Sequence, residues 1–427
     1  MMRTVITNTM RTSLGGPVAW FELPLLFYFM VHFFPPMPSG LANISLGLGV
    51  VGVLWECHRD GWRGFGRLRH PLVVAWGLFV GLMLLSLLQV PDELLRESWR
   101  RLNSDLLKHS LFALALLLYL QSESRARRVI FAGVLACCVM LGFCLVEIIA
   151  VASKTGKLPF QRDYLFYLMF FFPFSLVAYR FEPRWRYLAF GLAVATIALA
   201  FLSGFRGAVL ALLVMSLGFA ILGRMWGILW VGAFLAVAGL VVLTWWFPEQ
   251  ANYVLAKFQQ INDSGRWSGH WRPAWEMANQ VPWTGFGYGH HVFSQQFGLQ
   301  MNDHPWWTRA WSDRLGWLPG SPHSVFFETL FIAGWIAVIS LFSIVAGIIG
   351  ALVGQITRRR KELFSSSWLA LSLAVLVAAV GNFLVFYQTE DPSWRTAPVI
   401  VMLAVACLRA LKSPETGSER KRNPVGA

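Results

Sequence analysis

The sequence predicts an all-α fold, a polytopic transmembrane bundle of about twelve spans with one long, ordered periplasmic loop that carries interfacial helices. Three observations predict it. Hydrophobic residues make up 56% of the 427 positions, and mean hydropathy is +0.55. Apolar runs recur near the ~20 residues a helix needs to cross hydrocarbon. These runs, PLVVAWGLFVGLMLLSLLQV among them, are apolar on every face, where a membrane β-barrel would alternate polarity over short segments.

Hydropathy centres the spans on residues 17–36, 40–55, 71–90, 105–120, 129–152, 163–179, 187–204, 207–222, 227–247, 323–353, 366–387 and 396–411. The chain thus divides into spans one to nine (1–247), a loop region (248–322), spans ten to twelve (323–411) and a tail (412–427). Arg3 and Arg11 precede the first span, but Glu22 lies inside it and no small-residue cleavage site follows. It reads as a retained span rather than a signal peptide.

Formal net charge is +14, and the basic residues fall in alternate short connections. Arg59, Arg63, Arg67 and Arg69 share one, and Arg125, Arg127 and Arg128 the next. Arg180, Arg184 and Arg186, then Arg224, then residues 358–361 and the tail from Arg420 to Arg422 continue the series. The helical pattern implies a cytoplasmic or inner membrane, and by the positive-inside rule these connections and both termini lie in the cytoplasm while the turn at 203–206 and the long loop lie outside. The charge is a topology signal with some attraction to membrane lipid, not a nucleic-acid footprint. Cys137, Cys138, Cys144 and Cys407 sit in spans and Cys57 at a cytoplasmic boundary, so no disulfide is expected outside.

Residues 248–322 are the one segment with room for chemistry, and they are rich in Trp, Gly, His and Pro. Trp267, Trp271 and Trp275 recur at helical spacing, which predicts a helix lying on the bilayer surface, and Pro273 starts its regular part near Arg272. Gly285, Gly287 and Gly289 follow a helix rather than a strand, so they are no dinucleotide fingerprint; they let the backbone turn closely beneath the active face.

His323, in GSPHSVFFETLFIAGWIA, closes this loop before an apolar run and is the candidate catalytic base. Arg206, in SGFRGA, and Arg266, in DSGRW, are arginines on the outer side. A guanidinium suits phosphate oxygens, and two of them could hold a pyrophosphate without a metal. Taken singly, Arg206 could instead snorkel to headgroups, Arg266 pair with Asp263, and His323 cap the following helix. Glu390 and Asp391 either orient His323 or bind an acceptor hydroxyl, or form a solvated turn. His270, His290, His291 and His304 match no metal-ligand spacing, and no metal or other cofactor is expected.

Three stretches, SGFRGA at 203–208, GRWSGHWRPAWEMANQVPWTGFGYG at 265–289 and PHSVFFETLFIAGWIA at 322–337, resemble the O-antigen ligase and polymerase superfamily of bacterial inner-membrane glycosyltransferases. The resemblance covers mainly the second half of the chain; here Ser324 follows the histidine where Asn is frequent. It implies a transferase whose donor is an undecaprenyl pyrophosphate-linked glycan, with arginines matching Arg206 and Arg266 on the pyrophosphate and a histidine matching His323 serving the acceptor. The expected reaction is metal-independent, inverting transfer to a sugar hydroxyl of lipid A core at the periplasmic face. O-antigen polymerase, protein O-oligosaccharyltransferase and, from another class, a secondary transporter are the alternatives.

Overall fold

A computed structural model describes residues 19–31, 38–155, 162–246, 248–259, 267–301, 303–304, 320–389 and 394–412. Within them the chain forms helices and no strand. The helices are α1 (Glu22–Val31), α2 (Ser39–Arg59), α3 (Pro71–Leu85, extended by a 3-10 turn to Gln89), α4 (Asp92–Leu102), α5 (Lys108–Tyr119), α6 (Glu123–Thr155), α7 (Arg162–Phe181) and α8 (Arg186–Leu202). They continue as α9 (Arg206–Gly223), α10 (Gly227–Trp246), α11 (Pro248–Gln259), α12 (Arg272–Ala278), α13 (His290–Gln300), α14 (Val325–Arg358), α15 (Ser367–Ala379) and α16 (Ala397–Lys412). A π-helical turn (Asn103–Leu107) joins α4 to α5, and another (Val380–Phe386) carries α15 on to Thr389.

Among the described residues, eight helical segments are long and apolar enough to cross a membrane: α2, α3, α6, α7, α8, α9, α14 and α15 with its extension. The protein is a multi-pass membrane protein. Helices α1, α5, α10 and α16 occupy the other four segments that hydropathy marks. The segment Ser367–Thr389 is the most deeply buried of the eight and Pro71–Gln89 the most open. Aromatic rings from α1, α5 and α7 fill the core, with Phe29, Phe112, Phe170, Phe171 and Phe174 fully buried.

The basic connections gather at one end of the bundle, where their side chains serve two purposes. Some cap helix C-termini: Arg67 donates to the carbonyl of Leu120 at 2.7 Å, Arg360 to that of Leu222 at 3.0 Å and Arg359 to that of Leu411 at 2.8 Å. The last carbonyls of a helix lack intrahelical donors and carry the negative end of its dipole, so cations are favoured there. Others neutralise carboxylates drawn into the bundle. Glu22, 2% exposed, is bound by Arg128, by Arg125 at 3.5 Å and by the Tyr119 hydroxyl at 3.0 Å, which is how an acid sits inside the first apolar helix. All five cysteines are free thiols.

Helix α14 is broken. Gly334 has φ 73° and ψ −172°, which divides the expected continuous span into an N-terminal piece and a long C-terminal one. The Trp335 N–H, which an unbroken helix would aim at the Phe331 carbonyl, donates to Pro282 O at 2.8 Å. The Phe331 carbonyl in turn accepts from Phe286 N–H at 2.7 Å, and the Ile332 carbonyl from Gly287 N–H at 3.0 Å. Residues 282–287 therefore run against the break and satisfy what it frees, a requirement wherever water is scarce. The approach is close enough to need glycine on both sides. A Cβ on Gly334 would meet the Trp283 carbonyl carbon at 2.5 Å, and one on Gly285 would overlap the Ile332 backbone. Replacing Gly334 with Ala should cost about 1–3 kcal/mol of stability through strain alone. Thermal unfolding in detergent checks this against Gly350→Ala, whose Cβ meets nothing within 4 Å and which should leave the transition in place.

Candidate functional site

The end of the bundle remote from the basic residues holds the beginning of α14, the C-terminal end of the α15 segment, the N-terminus of α9 and the helices of the long loop. His323 stands just before α14, half-buried, with φ 51°. A non-glycine residue in the left-handed region is uncommon and marks a position held by its surroundings. Its N–H donates to Ser321 Oγ at 3.2 Å, while Nδ1 of His270 lies 3.1 Å from the Ser321 carbonyl. The two imidazoles meet edge to face with centroids 4.5 Å apart. His323 does not cap α14: Ser324 occupies that position in extended conformation, and its hydroxyl donates to Gln388 Oε1 at 3.2 Å. The histidine loop is thereby tied to the end of the α15 segment.

Arg206 is the first residue of α9, after a tight turn in which Gly204 has φ 62°, and it is half-buried. Helix α9 packs along the π segment, where the Met215 side chain lies against Gly381. Nine positions separate Arg206 from Met215, about 13 Å of helical rise, which brings the arginine level with the end that Gln388 occupies. Arg206 and His323 thus flank the same helix end. Arg266, Glu390 and Asp391 lie outside the described residues.

The tryptophans correct one expectation. Helix α12 starts at Arg272 with Pro273 in its first turn, as the sequence predicts, but only Trp267 is well exposed. Trp271 stacks on Phe327 with centroids 5.8 Å apart, and Trp275 meets Trp335 edge-on at 5.9 Å. Two of the three hold the loop against α14 rather than presenting a face to lipid.

Beside the histidine loop lies a cavity of about 190 Å³ lined by Arg101, Asp105, Tyr167, Tyr288, His290, Glu328, Trp394 and Arg395, with Phe166, Gly289 and Ile332. Asp105 accepts from both Nε and Nη2 of Arg395 at 3.1 and 3.0 Å. Glu328, 5% exposed, accepts from Trp394 Nε1 at 2.9 Å. Arg101 donates to Glu97 at 3.1 Å and holds that carboxyl below its usual range. Burial, reinforced by the Asp105 and Glu328 carboxylates, pushes the Tyr288 phenol well above its ordinary value, so it serves as a neutral donor or acceptor. His323 does not line this cavity. It adjoins it through Glu328, whose N–H donates to the Ser324 carbonyl at 2.8 Å, and through His290, which lies against Gly320. Among the described residues no three His, Cys, Asp or Glu side chains gather as a metal site would require.

Sequence reasoning missed most of this lining. The available signal was α4, DELLRESWRRL, whose Arg96, Arg100 and Arg101 fall on a connection where alternation of charge leaves no place for them.

Comparison with known proteins places these residues. The model of the O-antigen ligase family matches residues 191–342. That segment of the chain is similar to the O-antigen ligase family. Over 342 residues the chain is also 27% identical to the O-antigen ligase of Salmonella typhimurium (strain LT2), an alignment covering 76% of this chain and 81% of that protein. The matched segment holds Arg206, Arg266, His323, the broken part of α14 and one wall of the cavity. Arg101, Asp105, Tyr167, Trp394 and Arg395, the opposite wall, lie outside it.

Trp394 also packs its ring on Phe79, with centroids 5.8 Å apart. Trp394→Phe should keep that packing, remove the donor to the buried Glu328 carboxylate and cost about 1–3 kcal/mol. A double-mutant cycle with Glu328→Gln, read by thermal unfolding, should return a non-additive coupling between the two sites.

Proposed function

We propose that this protein is an O-antigen ligase, a membrane glycosyltransferase of lipopolysaccharide biosynthesis. It moves a preassembled glycan from undecaprenyl pyrophosphate to a sugar hydroxyl of lipid A core at the periplasmic face of the inner membrane. The observation that carries the reading is the position of Arg206 and His323 on either side of one helix end, inside the segment that matches the O-antigen ligase family. The Salmonella relative favours ligation over polymerisation.

The chemistry follows from these side chains. A sugar alcohol is a weak nucleophile until its proton begins to leave, and the His323 imidazole accepts that proton. The hydroxyl oxygen bonds to the anomeric carbon from the face opposite the pyrophosphate, inverting the configuration. The bond from that carbon to the pyrophosphate oxygen breaks, and its electron pair leaves with the polyprenyl pyrophosphate. Arg206, with Arg266 from the long loop, stabilises the charge that gathers there, the role a divalent cation has in many other glycosyltransferases. The pyrophosphate linkage itself drives the transfer, so no nucleotide takes part. The gathering of basic side chains at the opposite end supports a cytoplasmic placement of that end and of both termini.

Transfer from purified lipid-linked glycan to lipid A core tests the reading. His323→Ala should lower kcat by about 10²–10⁴-fold, the range for loss of a general base. Arg206→Ala should lower it about 10²–10³-fold, with Arg206→Lys recovering part. Unchanged transfer in His323→Ala removes the base assignment. Loss of transfer in EDTA with rescue by magnesium overturns the arginine mechanism.

A further inference from the structure

We propose that the cavity between α4, α7 and the start of α14 is the saccharide subsite for the acceptor, with Arg101, Asp105, Tyr167, Tyr288 and Arg395 binding the sugar that His323 deprotonates. The proposal rests on the ligase reading and adds to it the place where the acceptor ring sits.

Size and chemistry of the lining define the ligand. The cavity of about 190 Å³ far exceeds the roughly 10–15 Å³ that a single water needs. Its formal charges balance, two guanidiniums against two carboxylates, so it has no net pull on a bare anion such as the pyrophosphate. An apolar occupant is excluded for the opposite reason, since it would strip solvent from four charged groups and return no hydrogen bond. A ring of adjacent hydroxyls is both donor and acceptor at every position, and the lining offers both. Guanidinium N–H groups donate, carboxylates accept, and the Tyr167 and Tyr288 phenols do either. The rings of Tyr167, Tyr288 and Trp394 supply flat apolar surface for the C–H faces of a sugar. The Asp105–Arg395 and Trp394–Glu328 pairs hold four of these groups in place before any ligand arrives.

Position selects the acceptor over the donor. Phe166 lines the cavity and meets Phe205, the residue before Arg206, at 5.7 Å. Phe386 closes the triangle at 5.2 and 5.7 Å from the same two rings. This aromatic cluster stands between the cavity and the arginine assigned to the pyrophosphate. Ser324 and Glu328, by contrast, connect the cavity directly to the histidine loop.

Arg101 is partly exposed on α4, so Arg101→Gln should fold. Tyr167→Phe, which removes one hydroxyl and keeps the ring, is the second variant. Steady-state transfer by the full-length protein in detergent, with lipid-linked glycan and lipid A core each varied, should show the acceptor KM raised roughly tenfold or more in Arg101→Gln. Tyr167→Phe should raise it several-fold, and the donor KM should stay put in both. Binding of lipid A core to the His323→Ala protein, with and without Arg101→Gln, measures the same loss without turnover. An unchanged acceptor KM and unchanged binding overturn the subsite. A raised donor KM with an unchanged acceptor KM overturns the acceptor assignment and gives the cavity to the donor sugar. Wild-type protein that binds lipid A core through Arg101 but transfers nothing to it would refute the ligase reading and leave the subsite standing; failure to bind lipid A core at all overturns the subsite.

Discussion

The exchange of backbone hydrogen bonds at the break in α14 is the constraint on which the rest of the site depends. In a bilayer a helix cannot simply stop, because the carbonyls it releases have no water to turn to. Here Phe331 and Ile332 give up helical partners, and the backbone of Phe286 and Gly287 replaces them. One event therefore fixes two things. It sets the direction of the short N-terminal piece of α14, which carries Glu328 and begins beside His323, and it docks residues 282–290, which deliver Tyr288 and His290 to the cavity. The long loop is part of the bundle because the helix needs its N–H groups.

The two ends of the molecule use charge in opposite ways. At the basic end, arginines are consumed structurally, on helix C-terminal carbonyls and on carboxylates such as Glu22 and Glu182. The guanidiniums of Arg67, Arg125, Arg127, Arg128, Arg359 and Arg360 there all have partners within the fold. At the other end Arg206 sits at a helix N-terminus, where the dipole disfavours a cation. A positive side chain placed against that dipole, half-buried and next in sequence to Phe205, which packs on Phe166 and Phe386, makes sense if an anion comes to it.

Much of the frame was legible in the sequence, and the reasons it stops are physical. Hydropathy finds α7 and α15 because a segment destined for hydrocarbon must be apolar regardless of its neighbours. The turn before Arg206 and the position of His323 at a helix start were legible for the same reason, as polar interruptions between apolar runs. The break at Gly334 was not. Gly347, Gly350 and Gly354 lie in the same apolar run within unbroken helix, and what distinguishes Gly334 is a partner about fifty residues away. Spacing put Trp271 and Trp275 on one face but could not say whether that face meets lipid or protein; Phe327 and Trp335 decide it. Arg101 and Arg395 were overlooked because a charge rule averages over a connection, and their meaning comes from Asp105 and the cavity they share.

The division of labour between the two poles follows from their electrostatics. A pyrophosphate gains charge as it leaves, so the side chains facing it should be cations with no carboxylate to neutralise them, and Arg206 fits that description among the described residues. A sugar acceptor carries no charge into the reaction and is recognised by many weak, directional contacts, so its subsite can be neutral overall and dense in paired donors and acceptors. The cavity has that composition, with Asp105 and Glu328 already hydrogen-bonded within the lining. Placing such carboxylates beside the pyrophosphate would oppose the departing charge. In the proposed mechanism, keeping them on the far side of Phe166, Phe205 and Phe386 would let one small region bind a hydroxyl-rich ring and expel an anion, with His323 at the boundary to take up the proton.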